Sequence, residues 1–331
     1  MTRIRRHAGI CCLAGAVWLV GAHEGGAQEK PVGSAAAASV SEQDMIALAA
    51  AVDALSAGKQ PADGSVSWLG HHFIRSQGDS IYVPFTVAVD KRQLPSSAVA
   101  MYVRAVSRAG SSRSAKSAWE ATYSIDVPTD GRIARAIALT AGTYDVYVAV
   151  KGKSAATVPG RTIVTQHELV VPSLAGPDLI TSSVILASAL EQLPSPLPQE
   201  KQEDNPYVFG PHKLTPSADG VFPKSSELHL WFMIYGASET GGKPDVQVDL
   251  SFHQRLPEGE EKYFNRTVPQ ELNEKTLAPD FNLNLGHQLV SRFSVALATF
   301  QPGDYRLEIK VTDRPSGRSL TSNVNFAVSA S

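Results

Sequence analysis

The pentapeptide His167-Glu168-Leu169-Val170-Val171 is the nearest this chain comes to a catalytic metal motif. A zinc protease needs a second histidine four residues after the first, on a helix, so that both imidazoles share one face. Valine stands there instead, and the surrounding alternation of apolar and polar residues is that of a strand. His167 therefore reads as an inward-facing strand histidine held by a hydrogen bond. His71 and His72 are adjacent, so on a strand their rings point to opposite faces and cannot hold one ion together. A metal site would need His212, His229, His253 or His287 to meet a carboxylate through the fold, which the order of residues alone does not show. The chain has no nucleophile elbow, no glycine-rich phosphate loop ahead of a helix and no Cys-x-x-Cys pair. No catalytic, cofactor-binding or metal-binding residue is assigned, and no cofactor is expected.

Two features remain that could meet a ligand. The stretch from Gln254 to Gln288 carries Glu258, Glu260, Glu261, Glu271 and Asp280, and a convergent pair among them could serve as general acid and base in a hydrolase. In the strand from Glu227 to Tyr235, Leu228, Leu230, Phe232 and Ile234 form one face, while Trp231, Met233 and Tyr235 sit on the other. Aromatic and methionine side chains on the outer face of a sheet suit contact with a protein partner or a sugar ring. The competing reading is that the preceding segment, Pro206 to Leu214, packs over them.

These residues must be held by elements that the pattern makes legible. With 331 residues the chain can form two domains, each with its own core. Arg3, Arg5 and Arg6 precede an apolar run from Ala8 to Ala22, and Gly25-Gly26-Ala27 supplies small residues for cleavage, so residues 1–27 read as a secretory signal peptide. Cleavage after Ala22 or Ala27 and retention as an anchor all remain open. The run is shorter than the roughly 20 apolar residues of a spanning helix, and no transmembrane segment is expected in the mature chain. Cys11 and Cys12, the two cysteines, lie in that segment, which leaves the mature chain without disulfide or thiol chemistry. The formal net charge is −2 and there is no basic run, which argues against a nucleic-acid partner.

After a flexible leader, Ser41 and Asp44 form a helix-capping pair, and Met45, Leu48, Ala49, Val52 and Leu55 fall on one face, predicting a short amphipathic helix over about 41–57. Its face could dock a partner or pack on the neighbouring domain. From Val66 the period becomes two. Ile81 to Val89, Val99 to Ala105, Ile133 to Leu139, Tyr144 to Val150 and Arg161 to Val171 read as strands of a first β-sandwich spanning 66–172. Residues 173–206, with Leu193-Pro194-Ser195-Pro196-Leu197-Pro198, read as a stiff linker containing a possible strand. A second sandwich is expected over 207–331, ending in a hairpin from Gly303 to Val328. Gly142-Thr143-Tyr144 and Gly303-Asp304-Tyr305 occupy corresponding positions, so the second half reads as a repeat of the first. The long stretch from His253 to His287 reads as irregular.

Gly303-Asp304-Tyr305-Arg306-Leu307 resembles the corner at which an immunoglobulin-like sandwich enters its penultimate strand, where a tyrosine hydroxyl bonds back to the chain. Three stretches, Tyr82-Val83-Pro84-Phe85-Thr86, Phe264-Asn265-Arg266-Thr267, and Pro302-Gly303-Asp304-Tyr305 through Thr312-Asp313, resemble a family of secreted bacterial tandem sandwich proteins of unknown function. Similar terminal sandwiches accompany von Willebrand A modules and GWxTD-motif proteins. The resemblance implies an all-β chain of two immunoglobulin-like sandwiches in tandem, and it carries over no catalytic residue. The resulting expectation is a non-enzymatic, periplasmic or extracellular binding or scaffolding protein. Its partner would be an envelope protein, with a glycan as the alternative and a hydrolase third.

Overall fold

The computed structural model describes residues 40–60, 62, 64–94, 96–109, 117–153 and 161–330; the expected signal peptide lies outside the described residues. Among the described residues the chain is all-β apart from one long helix and short helical turns, and it divides into two compact units. Among the described residues, the first takes 40–175 and 197–208, and the second takes 176–196 and 209–330.

The first unit contains α1 (Glu42–Ser56), β1 (Val66–His71), β2 (Ile74–Arg75), β3 (Ile81–Val89), β4 (Ala98–Ser107), β5 (Ser117–Asp126), β6 (Arg132–Leu139), β7 (Gly142–Gly152) and β8 (Thr162–Val171). In one sheet, β3 pairs with β6 along one side and with β1 and β2 along the other. The second sheet has the order β5-β4-β7-β8. The inward set reads directly from the alternation: Val83, Phe85 and Val87 from one sheet, and Met101, Val103, Val146, Val148 and Ile163 from the other, are all buried. The outward face of the four-stranded sheet is also apolar, with Ala100, Tyr102, Tyr147, Ala149 and Val164, and α1 covers it through Leu48, Val52 and Leu55. Ser41 caps this helix by accepting the backbone N–H of Asp44 at 3.1 Å. Asp53 pairs with Arg104 at 2.6 Å, and Asp44 pairs with Lys151. Met45, expected on the buried face, is 48% exposed.

The second unit contains β9 (Ile180–Thr181), β10 (Ile185–Gln192), β12 (His212–Pro216), β13 (Val221–Pro223), β14 (Glu227–Tyr235), β15 (Glu239–Thr240), β16 (Lys243–Pro244), β17 (Val246–Arg255), β18 (Glu261–Arg266), β19 (Gln270–Leu272), β20 (Leu289–Ala296), β21 (Gly303–Asp313) and β22 (Arg318–Ser329); β11 (Val208–Phe209) is where the chain enters it. Here β14 pairs with β20 on one side and with β10 and β9 on the other, facing a sheet of order β13-β22-β21-β17-β18. Leaving out the short additions, both units set a three-stranded sheet against a four-stranded one with the same connectivity, which is what the repeated pattern predicted. The corners also repeat. Tyr144 donates its hydroxyl to the carbonyl of Thr140 at 3.0 Å, and Tyr305 donates to that of Gln301 at 2.9 Å. Removing the buried Tyr305 hydroxyl with Tyr305→Phe is expected to cost about 1 kcal/mol in a urea melt, and Tyr144→Phe about the same in the other unit.

Two expectations need correction. Residues 173–206 hold the possible strand, as β9 and β10, but do not form a stiff linker: β9 and β10 belong to the second sandwich, and Leu197–Val208 belongs to the first unit. Prolines mark an extended chain, but an extended chain can pair or dock as readily as it can span. The stretch from His253 to His287 is likewise not wholly irregular, since β18 and β19 pair with β17 within it. In β18 only Phe264 packs inward, so an edge strand exposed on both faces leaves little apolar alternation to read.

Candidate functional site

Trp231, Met233 and Tyr235 do not form an exposed platform. Their exposures are 1%, 3% and 5%. Phe209 stacks on the Trp231 indole with ring centroids 4.2 Å apart and planes 16° from parallel, and the Tyr235 hydroxyl donates to the Met233 sulfur at 3.4 Å. The segment preceding β14 thus supplies the cover for Trp231 that the competing reading required.

The fold brings together two histidines that the sequence kept apart. His71 ends β1 and His167 lies on β8, with ring centroids 5.6 Å apart, a separation at which two imidazoles could share an ion. Their surroundings use them otherwise. Trp68 is sandwiched between Phe85, at 4.6 Å, and His167, at 4.4 Å, both nearly parallel to it. The Trp68 Nε1–H donates to His71 Nδ1 at 3.1 Å. Neutral His71 therefore carries its proton on Nε2 and has no second lone pair to offer, so this is a packed seam rather than a ligand pair. Burial, and then the neighbouring His167, pushes the His71 pKa down to about 4. Among the described residues, no group of three or more histidines and carboxylates could hold a metal ion.

The carboxylates of residues 254–288 do not converge. Glu261 is clamped by Arg306 at 2.7 Å and Arg255 at 3.2 Å, and the Arg306 hydrogen bond holds its carboxyl below the usual range. Glu271 is paired with Arg314 at 2.6 Å, while Glu258, Glu260 and Asp280 are exposed. An open cleft of about 270 Å³ in the first unit is lined by Arg75, Thr140, Ser173 and one carboxylate, Asp79, and Arg75 Nε donates to the Leu174 carbonyl at 2.6 Å. A lone carboxylate beside a guanidinium is not an acid–base pair.

A cluster of buried and half-buried polar groups lies where Leu197–Val208 meets the first sandwich. Tyr82, on the outward face of β3, donates its hydroxyl to the Pro206 carbonyl at 3.1 Å. Tyr207, 5% exposed, has its hydroxyl 3.3 Å from the Pro84 carbonyl oxygen and 3.1 Å from His72 Nδ1. The phenol has one proton to give, and which of the two contacts carries it follows the His72 tautomer. Burial, and secondarily His71, pushes the His72 pKa down to about 4. At the other end of the strap Arg135, 6% exposed, pairs with Asp204 at 3.0 Å and lies 5.0 Å from the Tyr123 ring centroid. Burial lowers the Arg135 pKa, and Asp204 opposes that shift. The sequence contained one signal for this site. In β6, Ile133, Arg135, Ile137 and Leu139 share a face, which sets an arginine in the inward register of an otherwise apolar series.

Comparison with protein-family models and with curated proteins finds no match.

Proposed function

We propose that this chain is a non-enzymatic, exported binding or scaffolding module of the cell envelope, contacting a protein partner through the β17–β18 edge of its second sandwich. The observation that carries this reading is a row of exposed apolar side chains strung along that edge: Leu256 in the β17–β18 turn is 36% exposed, Tyr263 on β18 is 54%, and Val268 just beyond it is 85%. Among the described residues β18 ends its sheet, which leaves its outer row of backbone groups facing away from the sandwich, where another chain can pair. The carboxylates that a hydrolase would need are paired with arginines or splayed into solvent. The resemblance to secreted bacterial tandem sandwiches supports the same reading and an envelope location. Among the described residues no helix is long and apolar enough to cross a membrane.

A photo-crosslinking residue placed at Tyr263 or Val268 in the full chain, expressed in its native cells, should give one discrete protein adduct. The same residue at the exposed polar position Thr321, on β22, should not. An adduct that shifts on glycosidase treatment moves the partner to a glycan, and equal labelling at all three positions ends the assignment of this edge.

A further inference from the structure

The β17–β18 edge carries opposite charge at its two ends and, resting on its reading as the partner-binding surface, we infer that the partner is a second copy of this chain. Glu258 and Glu260 lie just ahead of β18, and Arg266 closes it. All three are exposed, and among the described residues none of them forms an ion pair. Tyr263, the exposed ring, stands midway, three residues from Glu260 and three from Arg266. A strand with this order of charges is complementary to its own reversal. With a two-fold axis at Tyr263 the two strands run antiparallel, so that Glu260 of each copy faces Arg266 of the other and the two tyrosines meet at the centre. Leu256 of one copy and Val268 of the other then fall at the same end of the seam.

Moving the axis by one residue opposes like charges. Centred on Lys262 it sets that lysine against itself, and centred on Phe264 it sets Lys262 against Arg266. Centred on Tyr263, Lys262 faces the position of Phe264, where β18 bulges against β17 and the ring packs on the core, so no like charges meet. Pairing there joins two sheets of order β13-β22-β21-β17-β18 edge to edge and occupies the outer backbone groups of both. An unrelated partner could match this edge with charges in any order. The reversal symmetry of its own charges singles out a copy of itself.

Sedimentation equilibrium of the full chain, purified from its native cells, reads the pairing. A monomer–dimer equilibrium that depends on concentration and weakens as salt is raised is expected. Arg266→Glu and Glu260→Arg should each raise the dissociation constant roughly tenfold, because two symmetry-related ion pairs are lost and like charges meet, and the double exchange should restore it. Both positions are exposed, so equal urea midpoints should show the fold unchanged. In cells carrying the chain with two different epitope tags, the photo-adduct at Tyr263 should hold both tags. An adduct with another protein overturns the second copy and keeps the edge, whereas no adduct at Tyr263 or Val268 ends the edge reading as well. A chain that stays monomeric, a dimer indifferent to the single variants, or a double exchange that fails to restore it overturns the self-pairing.

Discussion

Trp231→Ala is expected to destabilise the second sandwich by about 3–5 kcal/mol, the range for deleting a buried large aromatic. The indole is 1% exposed and stacked on Phe209, so its removal leaves a void bounded by β14 and the segment preceding β12. Domains of this size hold only about 5–15 kcal/mol in total, so the loss removes a large share of the margin. Trp231→Phe keeps a ring over Phe209 and should cost clearly less. Equilibrium urea unfolding of both variants checks this. A loss in Trp231→Ala below about 1 kcal/mol would show that the indole is in contact with solvent rather than with Phe209. The same burial changes how a binding experiment at this position is read: weaker capture by Trp231→Ala would report damage to the fold before it reported a lost contact.

Gly236→Ala is expected to be as severe, for a backbone reason. Gly236 follows β14 with φ of 68°, a conformation that disfavours any side chain, and a Cβ there would lie 2.0 Å from the Asp178 carbonyl oxygen. The neighbourhood cannot give easily. Arg318 donates to the carbonyls of Gly236, at 2.8 Å, and of Pro177, at 2.9 Å, and to Asp313, which is fully buried. Separating the two backbones breaks that cluster together with the pairing of Tyr235 with Ile180. A loss of roughly 3 kcal/mol or more is expected. Gly259→Ala is the control: its φ is 84° but nothing lies within 4 Å, so only the conformational term, about 1 kcal/mol, applies. Equal losses in the two variants would mean that the close approach at Gly236 is absent in solution.

Where alternation met a two-sided environment, the fold was legible. Strand β21 repeats apolar and polar residues through Tyr305, Leu307, Ile309 and Val311, all fully buried, and its partner β22 returns in unbroken register from Arg318 to Val328. The capping pair Ser41 and Asp44 located α1 to within a residue at each end. The alternation of β14 placed Leu230 and Phe232 in the core, but it could not say what lay on the other side of Trp231. Period two separates the faces of a strand without telling which of them meets water. The same limit hid the strap. Pro206 and Tyr207 look like connector residues, and only three-dimensional proximity to Pro84 and His72 makes them a buried polar cluster.

Periodicity, capping and the paired tyrosine corners belong to short stretches of chain, and their physics is local, so the order of residues alone determined two sandwiches of one connectivity with a helix ahead of them. The cover over Trp231, the contact of His72 with Tyr207 and the pairing of Glu261 and Glu271 with arginines depend on groups brought together from distant segments. Desolvation and charge pairing act on proximity in space, which tertiary structure alone supplies.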